Sequence, residues 1–213
     1  MAVTADDLDL AIHTVESTLA PEVHRDWRAT PGTGDWTART TADHVGDCLL
    51  SYAGQLTAAP QDRYARFMAV ADEDASAAEV LEFLALGGRV LASVVRTCPP
   101  ATRAYHPTGL ADPEGFAAMG CVEALVHGHD IAHGFGLRLS PPAGLCRNVL
   151  GRLFPHTAAT LTEVEPWTAL LWSTNRVQLP GRTPQDGWRW HGSPPPTAPP
   201  ATEPPRSGPG GSP

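Results

Sequence analysis

Apolar residues recur at steps of three and four along most of the chain, the spacing of one face of an α-helix. Leu8, Ile12, Val15 and Leu19 predict a first helix from about Ala5 to Ala20, which Pro21 ends. The turn ATPGTGDW precedes a second helix with Thr37 as N-cap and Val45, Cys48, Leu49, Tyr52 and Leu56 as its buried stripe, closed by Pro60. A third helix is expected from about Ser76 to Thr97, carrying Val80, Leu81, Leu84, Val90, Leu91 and Val94, with Gly87-Gly88 marking a bend or a close crossing. Pro99-Pro100 stops it. A fourth helix from about Pro113 to His133 opens on an Asp112 cap with proline at its first position, and glycines end it. Shorter helices are expected near Pro142–Phe154 and Glu163–Ser173, with NRVQLPG as an extended connection. No segment alternates with the period of two that a strand requires. The expectation is an all-α fold, an up-and-down four-helix bundle with short C-terminal helical and extended additions.

The final residues read differently. Ser193 to Pro213 contain nine of the 22 prolines and no leucine, isoleucine, valine or aromatic residue. Such a segment buries too little to offset the entropy of ordering it, so residues 193–213 are expected to be a disordered tail and residues 1–192 the folded domain.

Charge removes several function classes. Fifteen basic residues, all arginine, stand against 23 acidic ones, for a formal net charge of −8. That balance gives no basic face for nucleic acid and no polybasic patch for an anionic membrane. The apolar runs are too short for a transmembrane helix, and the acidic, amphipathic opening segment does not read as a secretory leader. Four dispersed cysteines without a CxxC pair fit a reducing compartment, so a cytoplasmic location is expected. The exclusive use of arginine suggests GC-rich coding and hence a bacterial source.

Candidate chemistry concentrates in CVEALVHGHDIAHG, residues 121–134. Residues four apart share a helix face, so Glu123 and His127 can address one ion; His129 and His133 form an alternative pair. His127 and His129 differ by about 200° around the axis, so one pair must be chosen. The row from Glu123 through His127 continues to apolar Ile131, which favours it as the inward pair. A metal site needs a further ligand, and His44 on the second helix, beside the buried stripe, offers one. Asp130 and Asp47 lie one turn beyond His127 and His44, placed to orient a ligand or to serve as ordinary surface acids. His106, in the loop before the fourth helix, is a candidate acid–base partner, and Asp130 a second catalytic candidate. Cys48 and Cys121 read as small buried fillers. The segment holding Trp167, Trp172, Trp188 and Trp190 reads as packing over the helices, with a lid as the alternative.

Two stretches, DWTARTTADHVGDCLLSYAGQL and GCVEALVHGHDIAHGFGL, occur in this order with His44 and Glu123 about 80 residues apart. Together they resemble the metal-binding N-terminal domain of mycothiol-dependent maleylpyruvate isomerase, in the DinB/YfiT-like superfamily of four-helix bundles. The resemblance covers about residues 5–175. It implies a divalent metal held by a histidine on the second helix, here His44, and an ExxxH pair on the fourth, here Glu123 and His127. Zinc is the expected ion, with nickel, iron or manganese compatible with the same donors. A low-molecular-weight thiol such as mycothiol is implied as co-substrate. The isomerase has an additional C-terminal domain, whereas only about sixty residues separate the fourth helix from the proline-rich tail here. The expected activity is therefore thiol-dependent transfer or isomerisation of a small electrophilic substrate, not maleylpyruvate isomerisation itself. The alternatives are a non-catalytic helical module that binds a metal or small ligand, and a polar core network whose surface serves a homodimer.

Overall fold

A computed structural model describes residues 1–195 of the 213-residue chain. Seven α-helices are present among them: α1 (Ala5–Leu19), α2 (Ala38–Ala58), α3 (Ala77–Thr97), α4 (Pro113–Gly134), α5 (Ala143–Leu153), α6 (Pro155–Thr160) and α7 (Pro166–Ser173). Among the described residues there is no β-strand, only isolated bridges at Pro31–Thr37 and Ala104–Ala111. The fold is all-α, as the periodicity predicts.

The helix starts follow local chemistry. Thr37 accepts a hydrogen bond from the Thr40 amide at the start of α2, and Asp112 accepts one from Gly115 at the start of α4. Ser76 and Glu79 cap α3 reciprocally, each side chain bonding the other's backbone amide. The last helix begins at Pro166 rather than near Glu163, because the Glu165 carboxylate accepts from the Trp167 and Thr168 amides and so ends the preceding turn. The short α6 was not expected; its six residues are too few for a periodic pattern to stand out.

α1 to α4 share one apolar core, and α4 is its centre. Phe116, Ala117, Ala118, Met119, Cys121, Ala124 and Leu125 are all fully buried, although they point to different sides of the helix. The small residues among them allow close approach. A Cβ placed on Gly120 would meet Leu8, Leu49 and Leu91, so three helices converge on that glycine.

The helix directions correct the expected up-and-down alternation. Val3 donates to Glu114, Leu8 faces Gly120 and Val15 faces Gly128, so α1 and α4 run the same way. Arg89 pairs with Glu16 while Arg96 reaches Asp6 and Asp9, so α3 runs against α1. α2 runs with α3, since Gly46 abuts Phe83 and Leu49 lies by Gly87, and against α4, since Tyr52 packs on Phe116 and His44 approaches His127.

Two successive helices can be parallel only if the chain between them returns along the whole length of the first. Residues 59–76 do this. The Gln55 side chain bonds the backbone of Arg63 and Ala65, Asp47 accepts from Ala69 and Asp43 accepts from Ala71. The buried guanidinium of Arg39 then takes the carbonyls of Ala71, Asp72 and Ala75. An extended residue covers about 3.3 Å against 1.5 Å in a helix, so this segment is long enough to retrace α2.

The C-terminal additions pack as expected. Trp167 and Trp172 are buried, Trp188 lies against Phe154 and Trp190 against His106. The strap ending at Gly192 is fastened by Arg152, which bonds Asp112 and the carbonyls of His191 and Gly192. The expected tail lies, from residue 196 onward, outside the described residues.

Gly134, at the end of α4, touches the turn before α2: a Cβ there would meet the Pro31 carbonyl, which is backbone and cannot swing aside. Gly134→Ala is expected to cost about 1–3 kcal/mol in urea unfolding. Gly151→Ala, on an exposed face of α5 with nothing near its added Cβ, is expected to be neutral or to gain up to about 1 kcal/mol.

Candidate metal centre

Because α2 and α4 run antiparallel, their polar residues face one another across the core. On α2, His44, Cys48 and Tyr52 are spaced by four and share a face; on α4, Glu123, His127 and Asp130 do the same at steps of four and three. The side chain of Glu123 is only 11% exposed, and its two oxygens have different neighbours. Oε1 accepts a hydrogen bond from the Tyr52 hydroxyl at 3.0 Å. Oε2 lies 3.3 Å from His127 Nε2 and 3.7 Å from His44 Nε2. The two imidazoles stand perpendicular with centroids 5.1 Å apart, and Trp36 closes edge-on over His44 at 5.1 Å. The side chain of His44 is 33% exposed, which makes this the solvent side of the cluster.

The other nitrogen of His127 is fixed from behind. Nδ1 lies 2.7 Å from Thr33 Oγ1 and 3.4 Å from Asp130 Oδ2. The Thr33 hydroxyl donates its one proton to Asp130 at 2.6 Å, so it can only accept from His127 Nδ1–H. Asp130 is in turn held by Arg176, which donates to Oδ2 at 2.9 Å. This chain of bonds selects the tautomer of His127. In the neutral ring the Nε2 lone pair then points at the Glu123 carboxylate, an arrangement of two electron-rich atoms that requires a positive species between them.

With no cation present, a proton fills that role. Burial alone would lower the His127 pKa, but bonds to Asp130 and Glu123 outweigh it and hold the imidazolium up to about 9. Burial likewise works against the Glu123 and Asp130 anions, yet their histidine, arginine and hydroxyl partners hold both well below the usual carboxylate range. The Cys48 thiol is pushed up by burial and then by the Glu123 charge, so it stays protonated unless a cation joins the site.

The expected residues separate cleanly. His44 and His127 each approach Glu123 Oε2, at 3.7 and 3.3 Å, and Asp130 stands behind His127 as a positioning group rather than beside the open face. His106 does not join them: its ring packs on Tyr52, Phe116 and Trp190, and its Nδ1 lies 2.8 Å from Thr108 Oγ1. Asp47 holds the returning connection through Ala69. His129 packs edge-on against Trp167 on another side of α4, with His133 beside it.

Cys48 is the main revision. It was expected to be a filler, but its Sγ lies 3.6 Å from His44 Nε2. Among the described residues, His44, Cys48 and Glu123 each present a donor atom within 4.8 Å of the other two, a group that can hold a metal ion. Its position one helical turn after His44 was the available signal. Thr33 and Arg176 were missed because they come from irregular segments where no period marks them. Searches of family models, curated proteins and solved structures find no match to this chain.

His106 supplies a pH test of the aromatic wall behind Tyr52. Burial pushes its pKa down to about 4, partly countered by the Glu123 charge. Between pH 6.5 and 4 the unfolded ring takes a proton that the folded ring refuses, so its contribution to stability declines as pH falls through that window. The loss of stability between pH 7 and 5, measured by urea unfolding, is expected to be smaller in His106→Gln than in the parent. Equal losses would show that the folded ring is protonated.

Proposed function

We propose that this chain is a DinB-like four-helix-bundle protein that binds one divalent metal ion through His44, Glu123 and His127. Its activity on this reading is thiol-dependent transfer or isomerisation of a small electrophilic substrate. The observation that carries the metal assignment is the approach of His127 Nε2 and His44 Nε2 to the same oxygen of the buried Glu123 carboxylate, with Nδ1–H of His127 held by Thr33 so that Nε2 is the nitrogen that ligates once its proton is displaced.

Distances support the fit. Tetrahedral zinc with nitrogen and oxygen ligands at about 2.0–2.1 Å has donor–donor edges of about 3.3–3.4 Å. The His127–Glu123 edge is 3.3 Å and the His44–Glu123 edge 3.7 Å, while the three donors that all lie within 4.8 Å of one another are those of His44, Cys48 and Glu123, so His127 joins the set through its edge to Glu123. Imidazole and carboxylate donors suit zinc first, and nickel, iron and manganese as well. The apolar core shared by α1 to α4 supports a bundle, its helices running with α1 and α4 one way and α2 and α3 the other.

A divalent ion at this point supplies Lewis acidity, favouring the deprotonated form of a thiol or water brought to it. The protein's part is positional. Tyr52 holds one oxygen of Glu123 so that the other faces the histidines. Thr33, Asp130 and Arg176 fix the ring of His127. Trp36 and the exposed edge of His44 form the side on which a small thiol and its substrate would approach. The thiol, mycothiol or a relative, rests on the family resemblance. The acidic charge supports small molecules over nucleic acid as partners, and no helix among the described residues is long and apolar enough to cross a membrane.

Protein purified without chelator is expected to carry about one equivalent of zinc-like metal per chain by mass spectrometry, and His44→Ala and His127→Ala to carry little. Asp130→Asn should retain the fold and weaken metal binding by about 10- to 100-fold, since it loosens a ligand without removing one. A parent protein that neither carries metal nor takes up added zinc or nickel overturns the metal assignment. Metal without turnover of an electrophile in the presence of mycothiol leaves a binding module.

A further inference from the structure

We propose that Cys48 is a fourth ligand of the same ion, its thiolate filling the coordination position through which an external thiol would enter; this rests on the metal assignment above. The placement comes from α2, which carries Cys48 one turn after His44 on the face turned to α4. Its Sγ lies 3.6 Å from His44 Nε2 and 3.8 Å from Nδ1, and within 4.8 Å of a Glu123 carboxylate oxygen. A tetrahedral zinc with sulfur at about 2.3 Å and nitrogen at about 2.0 Å has a sulfur–nitrogen edge of about 3.5 Å. The same His44 nitrogen therefore stands close to one tetrahedral edge from Sγ and, at 3.7 Å, near one from Glu123 Oε2. The one hydrogen-bonding neighbour of Sγ among the described residues is this imidazole.

The chemistry follows from the donor set. When the sulfur–metal bond forms, the Cys48 S–H bond breaks and its proton leaves to solvent, with no change of oxidation state. The set becomes one sulfur, two nitrogens and one oxygen, which selects zinc, cobalt or cadmium over manganese and magnesium. An incoming thiol then exchanges one thiolate for another: it gives up a proton as it binds, and Cys48 takes one up as it leaves. Cys48 acts on this account as an internal stand-in for the co-substrate, keeping the ion four-coordinate until a thiol arrives.

Cobalt(II) distinguishes this proposal from the metal assignment on which it rests. The full chain, stripped of metal and reloaded with one equivalent of cobalt, is expected to show near-ultraviolet thiolate-to-cobalt charge transfer together with the visible bands of a tetrahedral ion. In Cys48→Ser and, as a second variant, Cys48→Ala, the charge-transfer absorption should disappear, while one cobalt per chain still binds with affinity reduced about tenfold or more. Unchanged circular dichroism would confirm that both variants fold. Stoichiometric cobalt in the parent without charge transfer, or charge transfer that survives in both variants, overturns the role of Cys48 and leaves the three-residue site intact. A parent that takes up no cobalt overturns both.

Discussion

The Glu123 carboxylate is enclosed between α2 and α4, and a buried anion costs several kcal/mol unless its charge is matched and its lone pairs are bonded. Everything around it serves that requirement. Tyr52 satisfies one oxygen and two histidines approach the other. The first of these histidines is open to solvent on one side, while the second is locked by a hydroxyl, a carboxylate and a guanidinium. A polar group so placed at the middle of an apolar core acts as a fixed point: the two helices cannot slide or rotate without separating the charges.

That fixed point explains why α4 has its composition. A helix buried on nearly all sides cannot be amphipathic, and its glycines and alanines let α1, α2 and α3 approach it closely. Apart from Glu114 in the first turn, its charged and imidazole side chains run from Glu123 to His133, where they either surround the site or lie on another side, with His129 against Trp167. The same closeness sets the distances of the site, since side chains of fixed length from α2 and α4 meet only where the axes are near enough.

Much of this was legible beforehand, for identifiable reasons. The caps Thr37 and Asp112 announce their helices because short oxygen-bearing side chains satisfy free amides at a fixed offset. His44, Glu123 and His127 were legible because a four-residue step places groups on one face and apolar neighbours say which face turns inward. Periodicity carries no sense of direction, however, so it could not distinguish alternating helices from the parallel pair that α2 and α3 form. That answer lies in Arg39, Asp43, Asp47 and Gln55, whose partners are backbone atoms of a non-periodic segment. Thr33 and Arg176 were invisible for the same reason. Cys48 reads as packing in the sequence, because a thiol in a helix stripe is a small hydrophobe until its polar neighbours are known.

The bonds behind His127 have a consequence for the chain as a whole. Thr33 precedes α2, Asp130 ends the polar row of α4, and Arg176 follows α7, so one carboxylate gathers three segments spread over more than half of the chain. The four cysteines are free and no disulfide closes these loops. Asp130 is therefore a non-covalent cross-link: it orders these segments in the folded state but, unlike a covalent bridge, leaves the unfolded chain unconstrained, and each strut can be released separately. The segment after α7 is tied through Arg176 and Asp130 to the orientation of one imidazole ring, so fraying at that end of the fold loosens the carboxylate that holds the ring while Thr33 still accepts from it.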